Sequence, residues 1–253
     1  MRFASLGSGS RGNATLIESG GTRLLLDCGF PAREAERRLG DLGVDPQTLD
    51  AILVTHEHGD HVRGVGVMAR RHELPVWMTP GTFRKAACGD IVDLMAFGAH
   101  EGELQIGDFT VRPFAVPHDA GEPVQFVFEA GGCRLGILTD TGSITPHVVE
   151  SLGCCDALVL ECNHDSGMLA SGPYPRALQA RVGGALGHLS NRQAAWLVGH
   201  LDTPRLRHLV AAHLSEKNNR PELARSALLG SAPDLEDRLC VLVQDHAGPW
   251  LEL

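Results

Sequence analysis

The seven cysteines include no Cys-x-x-Cys pair; they form an odd set in which Cys154 and Cys155 are adjacent. A disulfide framework is therefore not expected, and most of the cysteines read as small buried hydrophobes. No apolar run approaches the roughly 20 residues needed to span a bilayer, and Met1–Gly7 reads as a first strand rather than a secretory leader. A cytoplasmic chain with no membrane anchor is the expectation. Positive charge is also short, with 22 Lys and Arg against 31 Asp and Glu and a net charge of -9. That balance argues against tight binding of nucleic acid through a broad basic face. It does not exclude a nucleic-acid substrate, because divalent cations in a cleft would dominate the local field. No linker rich in Ser, Pro or Gly divides the 253 residues, so one α/β domain over 1–253 is expected.

What is present begins with a β-meander. Gly20-Gly21 lies between Ala14–Ile17 and Arg23–Leu26, a two-residue hairpin signal. Upstream, Gly7-Ser8-Gly9-Ser10-Arg11-Gly12 matches G-x-G-x-x-G, but a dinucleotide loop must open a helix and a strand follows here. The nicotinamide reading is therefore rejected, and the loop is placed near a cleft. Helical spacing runs over Ala32–Leu42, Val62–His72, Pro175–Val182, Asn191–Leu201 and Glu222–Leu229, and Thr79-Pro80 marks a further helix start. Strands are expected at Ala51–Val54, Pro75–Met78, Phe109–Val116, Val124–Glu129, Arg134–Leu138, Leu158–Leu160, Leu206–Ala211 and Leu239–Leu242, with Gly131-Gly132 as a second turn.

The most informative stretch is Thr55-His56-Glu57-His58-Gly59-Asp60-His61. It places four metal-ligand side chains within six residues, directly after an apolar strand. His56 and His58 share one side of an extended segment, and Gly59 lets the chain turn sharply so that Asp60 and His61 enter the next helix facing the same cleft. Two ligands per ion follow. Three further strand ends supply the remainder: His118 after Val116-Pro117, Asp140 after Leu138-Thr139, and His213 after Ala211-Ala212. The assignment puts His56, His58 and His118 on one ion and Asp60, His61 and His213 on the other, with Asp140 bridging. Imidazole and carboxylate ligands without Cys suit two divalent ions, Zn²⁺ or Mn²⁺ ahead of Fe.

With these residues in place, the chain resembles the metallo-β-lactamase fold over nearly its whole length. The resemblance implies an α/β, four-layered αβ/βα sandwich with the site at the edge of two sheets. Gly7–Asn13, Glu161-Cys162-Asn163-His164-Asp165, the segment from Tyr174-Pro175 to Gly187-His188-Leu189-Ser190-Asn191, and Ala212–Asn219 resemble the bacterial YycJ/WalJ group. That likeness implies 5′ to 3′ exonuclease activity on DNA. Oxygen-reducing di-iron relatives carry Glu where this chain has His58, which argues against redox chemistry. RNA-processing relatives with a large inserted cap would need a far longer stretch between Asp140 and His213, and the tRNA-gripping arm of tRNase Z has no evident counterpart.

The expected chemistry is hydrolysis by water ionised near neutral pH between two cations, because the ions lower its pKa toward about 7. Asp60 serves in that centre. His188 is the proton-donor candidate, since Ser190-Asn191-Arg192-Gln193 reads as a capping box that starts a helix directly after it, and a helix N-terminus attracts phosphate. The Gly-His-Ser/Thr segment of tRNase Z-like relatives supports that role by similarity. His164 follows Leu160-Glu161 and is a second candidate to reach substrate. The leading reading is a phosphodiesterase acting on nucleic acid, DNA ahead of RNA. The alternative is a small-molecule hydrolase acting on a cyclic phosphodiester, lactone or thioester with the same centre.

Overall fold

The computed structural model describes residues 1–253. In chain order the strands are β1 (Arg2–Gly7), β2 (Ala14–Ser19), β3 (Thr22–Leu26), β4 (Ala51–Leu53), β5 (Val76–Met78), β6 (Leu94–Ala96), β7 (Leu104–Ile106), β8 (Phe109–Ala115), β9 (Val124–Ala130), β10 (Cys133–Leu138), β11 (Ala157–Glu161), β12 (His208–Ala212), β13 (Leu239–Val241) and β14 (Leu251–Glu252). The helices are α1 (Ala32–Asp41), α2 (Gly59–Val62), α3 (Val65–His72), α4 (Pro80–Lys85), α5 (Pro146–Ser151), α6 (Ser166–Ser171), α7 (Arg176–Val182), α8 (Asn191–Val198) and α9 (Pro221–Ser231). The chain forms two compact units, one of residues 1–115, 120–133 and 243–253, the other of 116–119 and 134–242.

The first unit holds a seven-stranded sheet in the order β14-β1-β2-β3-β4-β5-β6. Its β14/β1/β2/β3 half is antiparallel and its β3/β4/β5/β6 half parallel. The Gly20-Gly21 turn closes β2 on β3 with Ser19 opposite Thr22, as the hairpin signal predicts. Leu16, Leu25, Ile52, Val54, Met68 and Val76 are fully buried in one cluster, each burial favouring the folded state by about 1.5–3 kcal/mol before entropy is counted. α1 adds an unusual core member. Arg38 donates from Nη1 to the Leu6 carbonyl at 2.6 Å and the Gln244 carbonyl at 2.9 Å, while its guanidinium lies 4.1 Å from the centre of the Phe30 ring. The same unit also holds β7, β8 and β9, which pair antiparallel as part of a second sheet.

The helix expected over Val62–His72 is broken into α2 and α3. A Cβ on Gly64 would collide with the Phe30 carbonyl, and the Gly64 N–H donates to the Cys28 carbonyl at 2.8 Å. The chain therefore makes its close approach at a glycine. Strand β4 stops at Leu53, three residues before His56, so the His56–His58 stretch is irregular rather than extended sheet.

The second unit contains four parallel strands, β10 through β13, in sequence order. Leu135, Ile137, Leu138, Leu158, Leu160, Leu209 and Ala211 are buried, the near-continuous apolar pattern of a sheet covered on both faces. Its α7, α8 and α9 lie close to their expected spans, and Ser190 and Gln193 form the predicted capping box on α8. Helix α5 was not anticipated, although Thr145 caps it and Pro146 occupies its first turn, a legible start signal.

Candidate metal centre

In the first unit the parallel strands β3 and β4 both deliver polar residues at their carboxyl ends, where open α/β sheets bind ligands. Asp27 follows β3 immediately. Its Oδ1 accepts the Thr55 N–H at 2.8 Å, and its Oδ2 accepts the Thr55 hydroxyl at 2.9 Å and His61 Nδ1–H at 2.7 Å. With its proton on Asp27, the Thr55 oxygen accepts from His56 Nδ1, 3.0 Å away. One buried carboxylate thus sets two tautomers in which the Nε2 atoms of His56 and His61 are acceptors, the latter 3.2 Å from the Asn13 amide nitrogen.

The ring nitrogens pair accordingly. His56 Nε2 faces His58 Nδ1 at 3.0 Å, and His61 Nε2 lies 3.6 Å from Asp60 Oδ2. Asp60 is placed by the loop that mimics a dinucleotide motif. Its carbonyl accepts the Asn13 N–H at 2.8 Å, and the Asn13 amide reaches its carboxylate at 3.4 Å. A Cβ on Gly29 would collide with that same carbonyl, so only glycine fits there. The first unit therefore brings together His56, His58, Asp60 and His61 as expected. Sequence reasoning missed Asp27 and Asn13. Asp27 had a visible signal, since Leu26-Asp27 repeats the strand-then-acid pattern that singled out Asp140.

In the second unit His118 directs Nδ1–H to the Gly187 carbonyl at 3.0 Å, which leaves its Nε2 lone pair for a cation. His213 Nδ1 lies 2.8 Å from Asp140 Oδ2. Burial lowers the affinity of His213 for a proton, but the charge and hydrogen bond of Asp140 outweigh it and raise the pKa. Asp140, Glu161, His188 and His213 each offer a ligand atom within 4.8 Å of the others. Glu161 is nevertheless better read as a support than a ligand. It is fully buried, and its oxygens accept His188 Nδ1–H at 2.6 Å, Thr141 N–H at 3.1 Å and Leu189 N–H at 3.1 Å. Its role in fixing His188 had no signal in the sequence beyond its place at the end of β11.

His188 has a side chain 21% exposed, and its ring centroid is 5.3 Å from those of both His118 and His213. His164, by contrast, is 3% exposed, with Nδ1 lacking any hydrogen-bond partner. Burial pushes its pKa down. Its main chain forms a parallel bridge with Ser190, the cap of α8.

Three of the residues that build these groups hold left-handed backbone: Asp27 at φ 58°, Asp140 at φ 48° and His213 at φ 53°. Outside glycine such backbone costs roughly 1–2 kcal/mol per residue. Each lies one or two residues past a parallel strand, where the chain must turn while keeping its side chain over the strand end.

Imidazoles and carboxylates at strand ends, with tautomers fixed by buried acceptors, are the construction of a metal-dependent hydrolase. Residues 22–213 match the family described as Beta-lactamase superfamily domain, and the chain belongs to that family. Within it the chain is YycJ/WalJ-like. It is 34% identical over 231 residues to Exodeoxyribonuclease YycJ of Bacillus anthracis, covering 90% of this chain and 88% of the relative. It is 32% identical over 234 residues to Exodeoxyribonuclease WalJ of Streptococcus pneumoniae serotype 2 (strain D39 / NCTC 7466), covering 90% and 87%. The metallo-β-lactamase fold protein YhfI from Bacillus subtilis superposes with a TM-score of 0.74 at 17% identity, over 99% of each chain. The fold is thus the α/β metallo-β-lactamase fold expected from the sequence, and the chain is a metal-dependent hydrolase. No helix is long and apolar enough to cross a membrane.

Proposed function

We propose that this protein is a 5′ to 3′ exonuclease acting on DNA, with residues 1–253 working as one catalytic domain around two divalent ions, Zn²⁺ or Mn²⁺. The observation that carries the reading is the likeness, over nine-tenths of the chain, to two relatives named exodeoxyribonucleases. The donor set fits such ions. It is built of imidazole and carboxylate, and Asp27, Thr55 and Gly187 hold the Nε2 atoms of His56, His61 and His118 in the unprotonated form that a cation requires. His56, His58 and His118 would hold one ion and Asp60, His61 and His213 the other, with Asp140 available to both.

When bound, the ions supply Lewis acidity toward the phosphodiester and lower the pKa of water. The chain's own residues supply the rest. Asp60 is held by Asn13 and faces His61. His188, with Glu161 on Nδ1, keeps its proton on the outward Nε2 and delivers it to the leaving 3′ oxygen, which departs as a hydroxyl. The buried carboxylate of Glu161 fixes the direction of the imidazole, the support a general acid needs. For His164 the buried ring fits a positioning role, through the bridge to Ser190, better than contact with substrate.

The test is a panel of 5′-labelled single- and double-stranded DNA, RNA and bis(p-nitrophenyl) phosphate with each metal, accompanied by elemental analysis. Stepwise release of nucleotides from the 5′ end of DNA, with two ions per chain, is expected. Hydrolysis confined to small esters would overturn the nuclease reading in favour of a small-molecule hydrolase.

A further inference from the structure

We infer that the cleft between α8 and α9 is a subsite for single-stranded nucleic acid, in which Trp196 stacks on a base while Arg192 contacts a phosphate. The inference rests on the nuclease reading and specifies where the strand runs outside the metal centre. The cleft encloses about 520 Å³ and is lined by Asp165, Asn191, Arg192, Trp196, Leu223 and Ser226 among others.

Trp196 is 48% exposed, unusually so for the bulkiest side chain type. It is not loose. The His200 ring stacks on it with centroids 3.9 Å apart and planes 24° apart, and the His200 imidazole is itself fixed by the Trp196 carbonyl at 2.7 Å. A braced indole that still lines an open cleft is a ready platform for another flat ring. Arg192 stands four residues earlier on the same helical face, about 6 Å along the axis. It is exposed and makes no hydrogen bond or ion pair. An uncommitted guanidinium one turn from an aromatic face is complementary to a polyanion carrying stacked bases, the pairing used by sequence-tolerant single-strand binders.

Two of the other polar walls are already engaged. Asp165 caps α6 by accepting the Met168 N–H at 2.9 Å, and Asn191 exchanges two amide hydrogen bonds with Asn219 at 2.8 and 2.9 Å. Position completes the argument. Helix α8 begins at Asn191, three residues after His188, so Arg192 lies in the first turn beyond the proton donor and Trp196 one turn farther out. A strand cut beside His188 can run along α8, with the cleft receiving a nucleotide of the retained 3′ portion.

The experiment uses Trp196→Ala, Trp196→Phe and Arg192→Ala in the metal-loaded enzyme. It measures KM and kcat on a 5′-labelled single-stranded oligodeoxynucleotide, anisotropy binding of a phosphorothioate oligonucleotide, and hydrolysis of bis(p-nitrophenyl) phosphate. Trp196→Ala should raise the oligonucleotide KM and Kd about tenfold, the scale of one lost base stack, with the small ester unaffected and Phe recovering most of the loss. Arg192→Ala should flatten the dependence of log Kd on log salt by about 0.7, one phosphate contact on a single strand. A wild type that degrades DNA while the variants bind it unchanged overturns the subsite and leaves the nuclease reading intact. Equal loss on the small ester also overturns it, because the variants would then have damaged the metal centre. A wild type that neither binds nor degrades the oligonucleotide overturns both.

Discussion

Replacing Asp27 by Asn should weaken metal binding without removing a single ligand. Asparagine tolerates the left-handed backbone at this position, and its amide oxygen can still accept the Thr55 N–H now bonded to Oδ1 at 2.8 Å. The other end becomes an NH₂ that faces the Thr55 hydroxyl and His61 Nδ1, at 2.9 and 2.7 Å in the native protein. A donor facing His61 Nδ1 drives the ring proton to Nε2 and occupies the lone pair assigned to the cation. The hydroxyl relay to His56 is disturbed in the same way, but one bond farther removed. Loss of such an orienting partner typically costs 10–100-fold in metal affinity, which corresponds to about 1.4–2.7 kcal/mol. The ion that we assign to Asp60 and His61 should bear most of it. A chelator-competition titration of wild type and Asp27→Asn, with elemental analysis at each step, would resolve the two proposed ions. Thr55→Val provides the cross-check, since it cuts the relay to His56 while leaving Asp27 on His61. Affinities of Asp27→Asn within twofold of wild type for both ions would refute the tautomer argument.

His188→Ala should retain its metal content and lose about 10²–10⁴-fold in kcat, the usual weight of a general acid. Glu161→Gln should fall partway toward it, and turnover equal to wild type in a rapid-quench assay would remove the pair from the mechanism. His164 offers a pH test. Burial depresses its pKa below the ordinary 6.5, so below that value the unfolded chain binds more protons than the folded one, and stability falls as pH drops from 6.5 toward the folded pKa. Urea midpoints at pH 7.5 and 5.5 should therefore diverge more for wild type than for His164→Gln. Equal divergence would show that another group carries the acid sensitivity.

The candidate ligands were easier to read than the residues that support them. His56, His58, Asp60 and His61 announce themselves through close spacing after an apolar strand, and Asp140 and His213 through their place at strand ends. Asp27 looks the same in sequence as many acids that merely end a strand. Its importance arises from Thr55 and His61, 28 and 34 positions away, and only the parallel pairing of β3 with β4 brings them together. The break between α2 and α3 was hidden for a similar reason, since it depends on the Phe30 carbonyl crowding Gly64. His164 shows a different limit. Its neighbours suggested a reactive loop, whereas nothing local indicates that the chain would bury the ring and leave Nδ1 without a partner. Caps were legible where they were sought, as at Ser190, and equally so at Thr145, where the short α5 went unread.

The left-handed conformations of Asp27, Asp140 and His213 are held against a backbone cost of roughly 1–2 kcal/mol each. Glycine would remove that cost, but at Asp27 it would also strip the Thr55 N–H, the Thr55 hydroxyl and His61 Nδ1–H of their buried acceptor, a larger loss. Asp27→Gly is therefore expected to melt lower than wild type, and laboratory evolution of this scaffold for hardiness has no easy gain at that codon.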